Sequence, residues 1–467
     1  MLAALMSLGI FAFCTVVGLG LVCLLAREDR PYLPLLAPTL GAAVLGIPTV
    51  WLNVSGIPIG RFGPWLLSFA LAAALCALVY ARRRISLARY WPFIPILLAG
   101  FVLAGRPFFE FGFNWLSYSN DDMANYVLTA HRILVYGFYT APASTYYSFN
   151  RDPTLVYWLW AVVNERFGAE AFVSLWLSVV RLNGFQLFMP IMVALGLMQI
   201  TAGAALVYRS ERYRPAAILT ACLLAVSALS TFGIEYQLIA QVFGLPLMAA
   251  STLLILDVPR NLDFRSVLLA TVATTSLAMV YPEITPFLVL GIGFYIGARL
   301  FRRSLTWRTA AIWLGSVGAL TLVFLNLYLR NFLTVMEARV VQSAAPENLK
   351  YFIELFPFYL IPSGVPNLFG IYSSVQNVPE PWLSLGILAG LLLLVITAFS
   401  AVEGTFAAEP AGAPALIMFG LAILLFFKHQ GFGLFKIAMY LQPFIIPCLV
   451  LWWLRLSHFA PESAAAE

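Results

Sequence analysis

Long stretches of this chain carry almost no charge, and that feature limits the possible folds more than any other. Apolar runs of roughly 17 to 25 residues recur from one end of the chain to the other. Each is long enough to cross a hydrocarbon core about 30 Å thick as a helix. Lipid offers no partner for backbone N–H and C=O groups, so runs of this kind are expected to be helices. Over 467 residues the chain is 62% hydrophobic and only 10% charged, which is too apolar for a soluble protein of this length. The fold class read from this is an all-α polytopic membrane protein, a single integral domain over 1–467.

Spans are expected near 2–26, 34–52, 64–81, 93–107, 185–208, 215–231, 240–257, 266–281, 284–300, 308–332, 382–403, 412–427 and 437–456, about thirteen transmembrane helices. They divide the chain into N-terminal helices (1–107), a long external loop (108–184), a helical core (185–332), a second external loop (333–381) and C-terminal helices (382–467). Arginines sit in alternate connections: Arg27 and Arg30, then Arg82, Arg83, Arg84 and Arg89, then Arg209, Arg212 and Arg214, then Arg260 and Arg265, then Arg302, Arg303 and Arg308. By the positive-inside rule these connections face the cytoplasm, so the N-terminus and both long loops face outward. The first segment lacks a basic n-region and a small-residue cleavage site, so it reads as a retained span. The net charge of +6 is accounted for by this topology signal, and no nucleic-acid partner is expected. Cys14, Cys23, Cys76, Cys222 and Cys448 fall inside the expected spans without paired spacing, so neither a disulfide framework nor a metal site is expected. The arginine-, alanine- and leucine-rich composition suggests a bacterial source, and hence the inner (plasma) membrane.

Against this apolar background, "DDMANYVLTAHRILVYGFY" (121–139) stands out. Ser119 or Asn120 suits a helix cap, which places Asp121 and Asp122 in the first turn. Met123, Tyr126, Val127, Ala130, Ile133, Leu134 and Gly137 recur at helical spacing and make one apolar face. Asp121, Asn125 and Arg132 line the opposite face, with Asp122 and Thr129 beside them. The pattern predicts an amphipathic helix lying on the outer membrane surface. Its two acids have a plain reading and a chemical one. Carboxylates in a first turn are stabilised by the helix dipole by about 0.3–1 kcal/mol each. A carboxylate at the membrane surface also serves as a general base toward an acceptor hydroxyl. His131 falls on the flank of the helix and reads as a surface or packing residue.

The same stretch resembles the first-external-loop signature of the GT-C glycosyltransferases, membrane enzymes that use polyprenyl-phosphate sugars. The shared pattern is an acidic pair, an aromatic four or five residues on, a helix of Ala and Ile/Leu, then Gly and an aromatic. "NRDPTLVYWLWAVVNERFGAEAF" (150–172) resembles the next part of that loop, where a proline and aromatics lead to Phe-Gly and a second surface helix. The likeness covers 110–180, the rest agreeing in general layout, and it is nearest in type to the protein mannosyltransferases and aminoarabinose transferases. Two departures bear on subfamily and substrate. About four spans precede the acidic loop, and Arg151-Asp152-Pro153 stands where many members have Pro-Pro. The resemblance implies that Asp121 or Asp122 deprotonates an acceptor hydroxyl, which attacks the anomeric carbon in line. The lipid phosphate leaves as a stable anion and the configuration inverts. The face shared with Asn125 and Arg132 favours Asp121. The implied partners are a polyprenyl-phosphate-sugar donor, a glycan, lipid or protein acceptor, and membrane lipids, with the active site facing the periplasm.

Further candidates are outward-facing. Lys428, His429 and Lys436 run against the positive-inside preference, in a short loop 428–436 whose Gly431 and Gly433 permit close backbone approach. They read either as a cradle for the lipid phosphate or as snorkelling side chains. Arg339 lies in the second external loop and Arg151 and Asp152 in the first. Glu235 and Glu283 stand at outer helix ends, Glu283 in the Tyr281-Pro282-Glu283 interruption. Some GT-C families use a divalent cation, but no metal-ligand spacing is present and no cofactor is expected. The rival readings are a glycan polymerase or ligase, a lipid-glycan transporter, and an inactive relative in an assembly complex.

Overall fold

The computed structural model describes residues 1–26, 30–80, 87–117, 121–140, 154, 166–257, 263–344 and 379–457. The described residues are helical, with no strand among them. The helices are α1 (Leu2–Leu25), α2 (Leu33–Val54), α3 (Ile59–Tyr80), α4 (Phe93–Gly105), α5 (Asp121–Val135), α6 (Gly168–Leu177), α7 (Gly184–Ala205), α8 (Arg214–Ala225), α9 (Ala228–Glu235), α10 (Ile239–Leu256), α11 (Phe264–Val280), α12 (Thr285–Phe301), α13 (Trp307–Leu325), α14 (Tyr328–Ala344), α15 (Trp382–Phe406), α16 (Gly412–Phe427) and α17 (Gly431–Leu456). Among the described residues nine helices are long and apolar enough to cross a membrane. The count rises to eleven if two bent pairs are each one span, Phe93–Gly105 with Phe108–Asn114 and Glu211–Ala225 with Ala228–Glu235. The chain is therefore a multi-pass membrane protein by helix length and composition.

Burial sorts these helices. The spanning windows of α7 and α10 are entirely enclosed by protein, whereas α3, α13 and α15 leave most of theirs outward, as lipid-facing helices do. With no hydrophobic drive between helices in lipid, small residues decide close approach. Gly18 of α1 meets the Ala37 backbone of α2, and Gly41 of α2 meets the Cys14 backbone of α1, so a side chain at either would push the pair apart.

Three expected boundaries are corrected. The run 308–332 is not one span: α13 ends at Leu325, and Asn326, with φ of 48°, turns the chain into α14. The run 215–231 breaks after α8, and Ser227 caps the start of α9 through Ser230 N–H at 3.3 Å. The expected loop 428–436 shrinks to a turn, because α17 begins at Gly431 and takes Lys436 into a helix.

The connections sort to two ends. At one end Arg30 pairs with Asp257 at 2.5 Å, Tyr90 OH donates to Pro31 O at 2.9 Å, and Arg89 pairs with Glu211 at 3.2 Å. Arg209 donates to the Ala408 carbonyl at 3.3 Å, Arg302 donates to the Phe406 carbonyl, and Arg455 pairs with Glu403 at 3.0 Å and also with Glu409. These contacts run continuously from turn to turn, so the alternating arginine-bearing connections do gather at one end of the bundle. The connections that hold Glu235 and Glu283 lie at the other.

Candidate functional site

The opposite end is organised around α5. Asn53, buried in the last turn of α2, donates its amide to the carbonyls of Ile133 and Tyr136, each at 3.0 Å, and its own carbonyl accepts from Phe138 N–H at 3.2 Å. These bonds satisfy the last carbonyls of α5 that the helix leaves open. The predicted apolar face is buried at Met123, Val127, Ala130 and Ile133. The opposite face departs from expectation. Arg132 is only 2% exposed and lies over the Tyr136 ring at 4.1 Å, and Thr129 is buried too. The reason is packing: α3, α6 and α7 surround α5, so no polar stripe runs its full length toward solvent. Asn125 is half-buried, and the side chain of Asp121 lies outside the described set.

His131 is a cap. Its Nε2 accepts from Gly184 N–H at 3.0 Å at the start of α7. There Asn183 and Gln186 already form a capping box, with bonds of 2.8 and 3.2 Å. Burial holds the His131 pKa below its usual value, and the accepting nitrogen must be unprotonated. This contribution to stability is complete above the unfolded-state pKa of about 6.5 and is lost as pH falls through the lower folded value. The melting temperature is therefore expected to drop as the pH falls below about 6.5. His131→Phe should melt lower at pH 7.5 and show a flatter profile. An unchanged profile in that variant would assign the drop to other groups.

The charged centre forms where α11 stops. Pro282 lacks an N–H and ends the helix, leaving Glu283 in a short 3-10 turn before α12. Glu283 Oε1 accepts from Arg166 Nη1 just ahead of α6, and from Arg339 Nε of α14 at 3.2 Å. All three side chains are at least three-quarters or so buried, at 17, 10 and 26% exposure for Glu283, Arg166 and Arg339. Arg166 also lies over the Tyr281 ring at 4.9 Å, and the Tyr281 and Tyr440 hydroxyls hydrogen-bond each other. Tyr328 OH donates to the Met279 carbonyl at 3.0 Å, joining α14 to the end of α11. Buried Glu170 of α6 lies within electrostatic reach of Tyr328, as do Glu283 and Arg166. Lys436, half-buried on α17, feels the charges of Glu283, Arg166, Arg339 and Asp122. Among the described residues, carboxylates (Glu283, with Asp122 in reach of Lys436) thus face cations (Arg166, Arg339, Lys436), and opposite charges lower the cost of a partly buried site.

Of the residues singled out from sequence, Tyr281, Glu283 and Arg339 come together here, with Lys436 and Asp122 within electrostatic reach. Lys428 and His429 do not accompany Lys436. They are exposed in the turn between α16 and α17, where His429 takes φ of 56°. Glu235 ends α9, and its carbonyl accepts from Ser117 Oγ at 2.7 Å. Among the described residues no hydrogen bond ties the Glu235 carboxylate to the cluster. Arg151 and Asp152 lie outside the described residues. Sequence reasoning missed Arg166, Glu170, Tyr328 and Tyr440. Arg166 and Glu170 flank the Phe-Gly of "ERFGAEAF", and a charge on each side of a helix start in so apolar a chain was a usable signal. Tyr328 and Tyr440 gave none. Among the described residues no three His, Cys, Asp or Glu side chains are grouped to hold a metal ion. Compared with protein-family models, curated proteins and solved structures, the chain gave no match.

Proposed function

We propose that this chain is a membrane glycosyltransferase of GT-C type. It moves a sugar from a polyprenyl-phosphate carrier to an acceptor hydroxyl at the periplasmic face of a bacterial inner membrane. Thirteen crossings fit the reading: the nine long helices, the two bent pairs, and the shorter apolar helices α11 and α16. The observation that carries it is the cluster of Arg166, Glu283, Arg339, Lys436 and Asp122, which gathers at the end of the bundle that bears the 121–139 signature. Arginine and lysine suit a lipid phosphate, arginine through its fork of donors and lysine as a point charge.

Asp122 is the favoured base. We take it as the base because its field reaches Lys436, while the side chain of Asp121 lies outside the described residues and the burial of Arg132 removes the shared-face argument for it. The acceptor hydroxyl gives its proton to the carboxylate as its oxygen bonds to the anomeric carbon. The bond from that carbon to the phosphate oxygen breaks on the opposite side, inverting the configuration. Cations beside the departing phosphate stabilise the charge it gains, so no general acid is required. A transporter would place its ionisable groups near mid-membrane on broken helices, whereas this cluster lies at helix ends.

The test is cell-envelope glycan analysis in a deletion strain carrying either the wild type or the Asp121→Ala/Asp122→Ala double variant. One sugar linkage is expected to vanish on deletion and to return with the wild type alone. Full complementation by the double variant would reduce the acids to helix caps and favour transport.

A further inference from the structure

The turn between α9 and α10 holds a residue in a conformation its type rarely adopts. Gln237 has φ of 64°, and left-handed backbone at a non-glycine residue costs on the order of 1 kcal/mol. Its side chain is fully buried. Its Nε2 donates to the Leu116 carbonyl at 2.5 Å and lies 2.9 Å from Met123 Sδ. That bond fixes the amide, because turning it over would set Oε1 against a carbonyl oxygen. Oε1 is then buried with no hydrogen-bond partner among the described residues. Four residues on, Gln241 repeats the pattern: it is buried, its Nε2 lies 3.0 Å from Met439 Sδ, and its Oε1 has no partner among the described residues. Each orphaned acceptor costs about 1–3 kcal/mol, so stability alone does not account for Gln241, and at Gln237 it accounts only for the amide N–H that meets the Leu116 carbonyl.

The place of these glutamines gives them a use. Gln241 and Gly244 share a face of α10. A Cβ on Gly244 would lie 2.6 Å from Tyr281 Cβ, so this face meets the tyrosine under Arg166. Met123 follows Asp122 directly, and Met439 lies between Lys436 and Tyr440 on α17. The two amides therefore lie against Met123 and Met439, whose chain neighbours Asp122, Lys436 and Tyr440 belong to the charged end of the bundle, and thioether side chains re-pack more readily than branched ones. We infer that Gln237 and Gln241 form a hydroxyl-recognition subsite for a sugar ring. Their amide oxygens accept from ring hydroxyls once Met123 and Met439 move aside. The inference rests on the glycosyltransferase reading and extends it from the phosphate to the sugar. Either the donor sugar or the sugar of a glycan acceptor presents this chemistry.

The test uses the full chain in lipid nanodiscs. One arm compares binding of bare undecaprenyl phosphate with undecaprenyl phosphate bearing glucose, mannose, galactose or arabinose. The other adds methyl glycosides of those sugars to protein saturated with bare undecaprenyl phosphate. In the wild type one sugar is expected to raise affinity about tenfold or more in the donor arm, or to bind measurably in the acceptor arm. Gln237→Leu and Gln241→Leu should each abolish that effect and leave binding of the bare lipid phosphate unchanged, and Gln241→Leu, which breaks no bond to the backbone, should melt no lower without ligand. A sugar effect retained by both variants overturns the subsite, as does the absence of any sugar effect in the wild type. Failure of the wild type to bind bare undecaprenyl phosphate overturns the glycosyltransferase reading itself, and the subsite with it.

Discussion

Asp122→Asn is expected to slow sugar transfer by about 10²–10⁴-fold, the range that a positioned general base contributes. Asp121→Asn is expected to retain most of the activity. The two acids are neighbours, so the comparison tests geometry more than composition. Asp122 shares an electrostatic environment with Lys436, and through it with Glu283, Arg166 and Arg339. That places it within electrostatic reach of the cations assigned to the donor phosphate. Its loss should lower kcat with little change in KM, because the proton moves in the transition state and not in the bound ground state. Initial rates on reconstituted protein with a polyprenyl-phosphate sugar make the measurement. The reverse pattern, with Asp121→Asn inactive and Asp122→Asn active, would return the base to Asp121. If both variants are active and each loses only the helix-dipole contribution of about 0.3–1 kcal/mol, the pair is structural.

Hydropathy located the helices because lipid forbids an unpaired backbone, so an uncharged run has few alternatives to a helix. It failed where a polar partner decides the boundary. The stretch 308–332 reads as one span, yet the chain turns at Asn326 and sends α14 off so that Tyr328 reaches the Met279 carbonyl and Arg339 reaches Glu283. The stretch 215–231 likewise reads as one span, yet Ser227 both caps α9 and donates to Gln442 Oε1 at 2.8 Å, and the helix breaks there. In the site, Asp122, Glu283, Arg339 and Lys436 were legible singly, because each is a charge in an apolar setting. Their association was not. It joins α5, α14 and α17 to the segments ahead of α6 and α12, and no local pattern spans such separations. The amphipathic reading of α5 failed on Arg132 for a related reason. Periodicity identifies one face that must be buried, and it does not exclude a partner on the other.

Removing the Glu283 carboxylate is expected to destabilise the protein by about 3–5 kcal/mol, the usual effect of taking one partner from a buried ion pair. In Glu283→Ala two guanidinium groups lose their shared acceptor, and Arg166, at 10% exposure, has little access to water in exchange. Arg339→Ala should cost about 1 kcal/mol or less, because Arg339 is more exposed and Glu283 keeps Arg166. Unfolding followed in detergent micelles or by steric trapping in bicelles gives both numbers. Stability alone does not separate a strut from a phosphate site, so the pair is also removed as a unit. Arg166→Met/Glu283→Leu replaces two charges with apolar side chains of similar volume, and buried pairs exchanged in this way are often neutral or better in stability. That double variant is expected to recover most of the stability lost in Glu283→Ala and still to lose at least about tenfold in affinity for undecaprenyl phosphate, the factor that corresponds to about 1.4 kcal/mol. Recovery of stability with unchanged lipid-phosphate affinity would make the pair a strut between α6 and α12. Phosphate binding would then rest on Lys436 and Arg339.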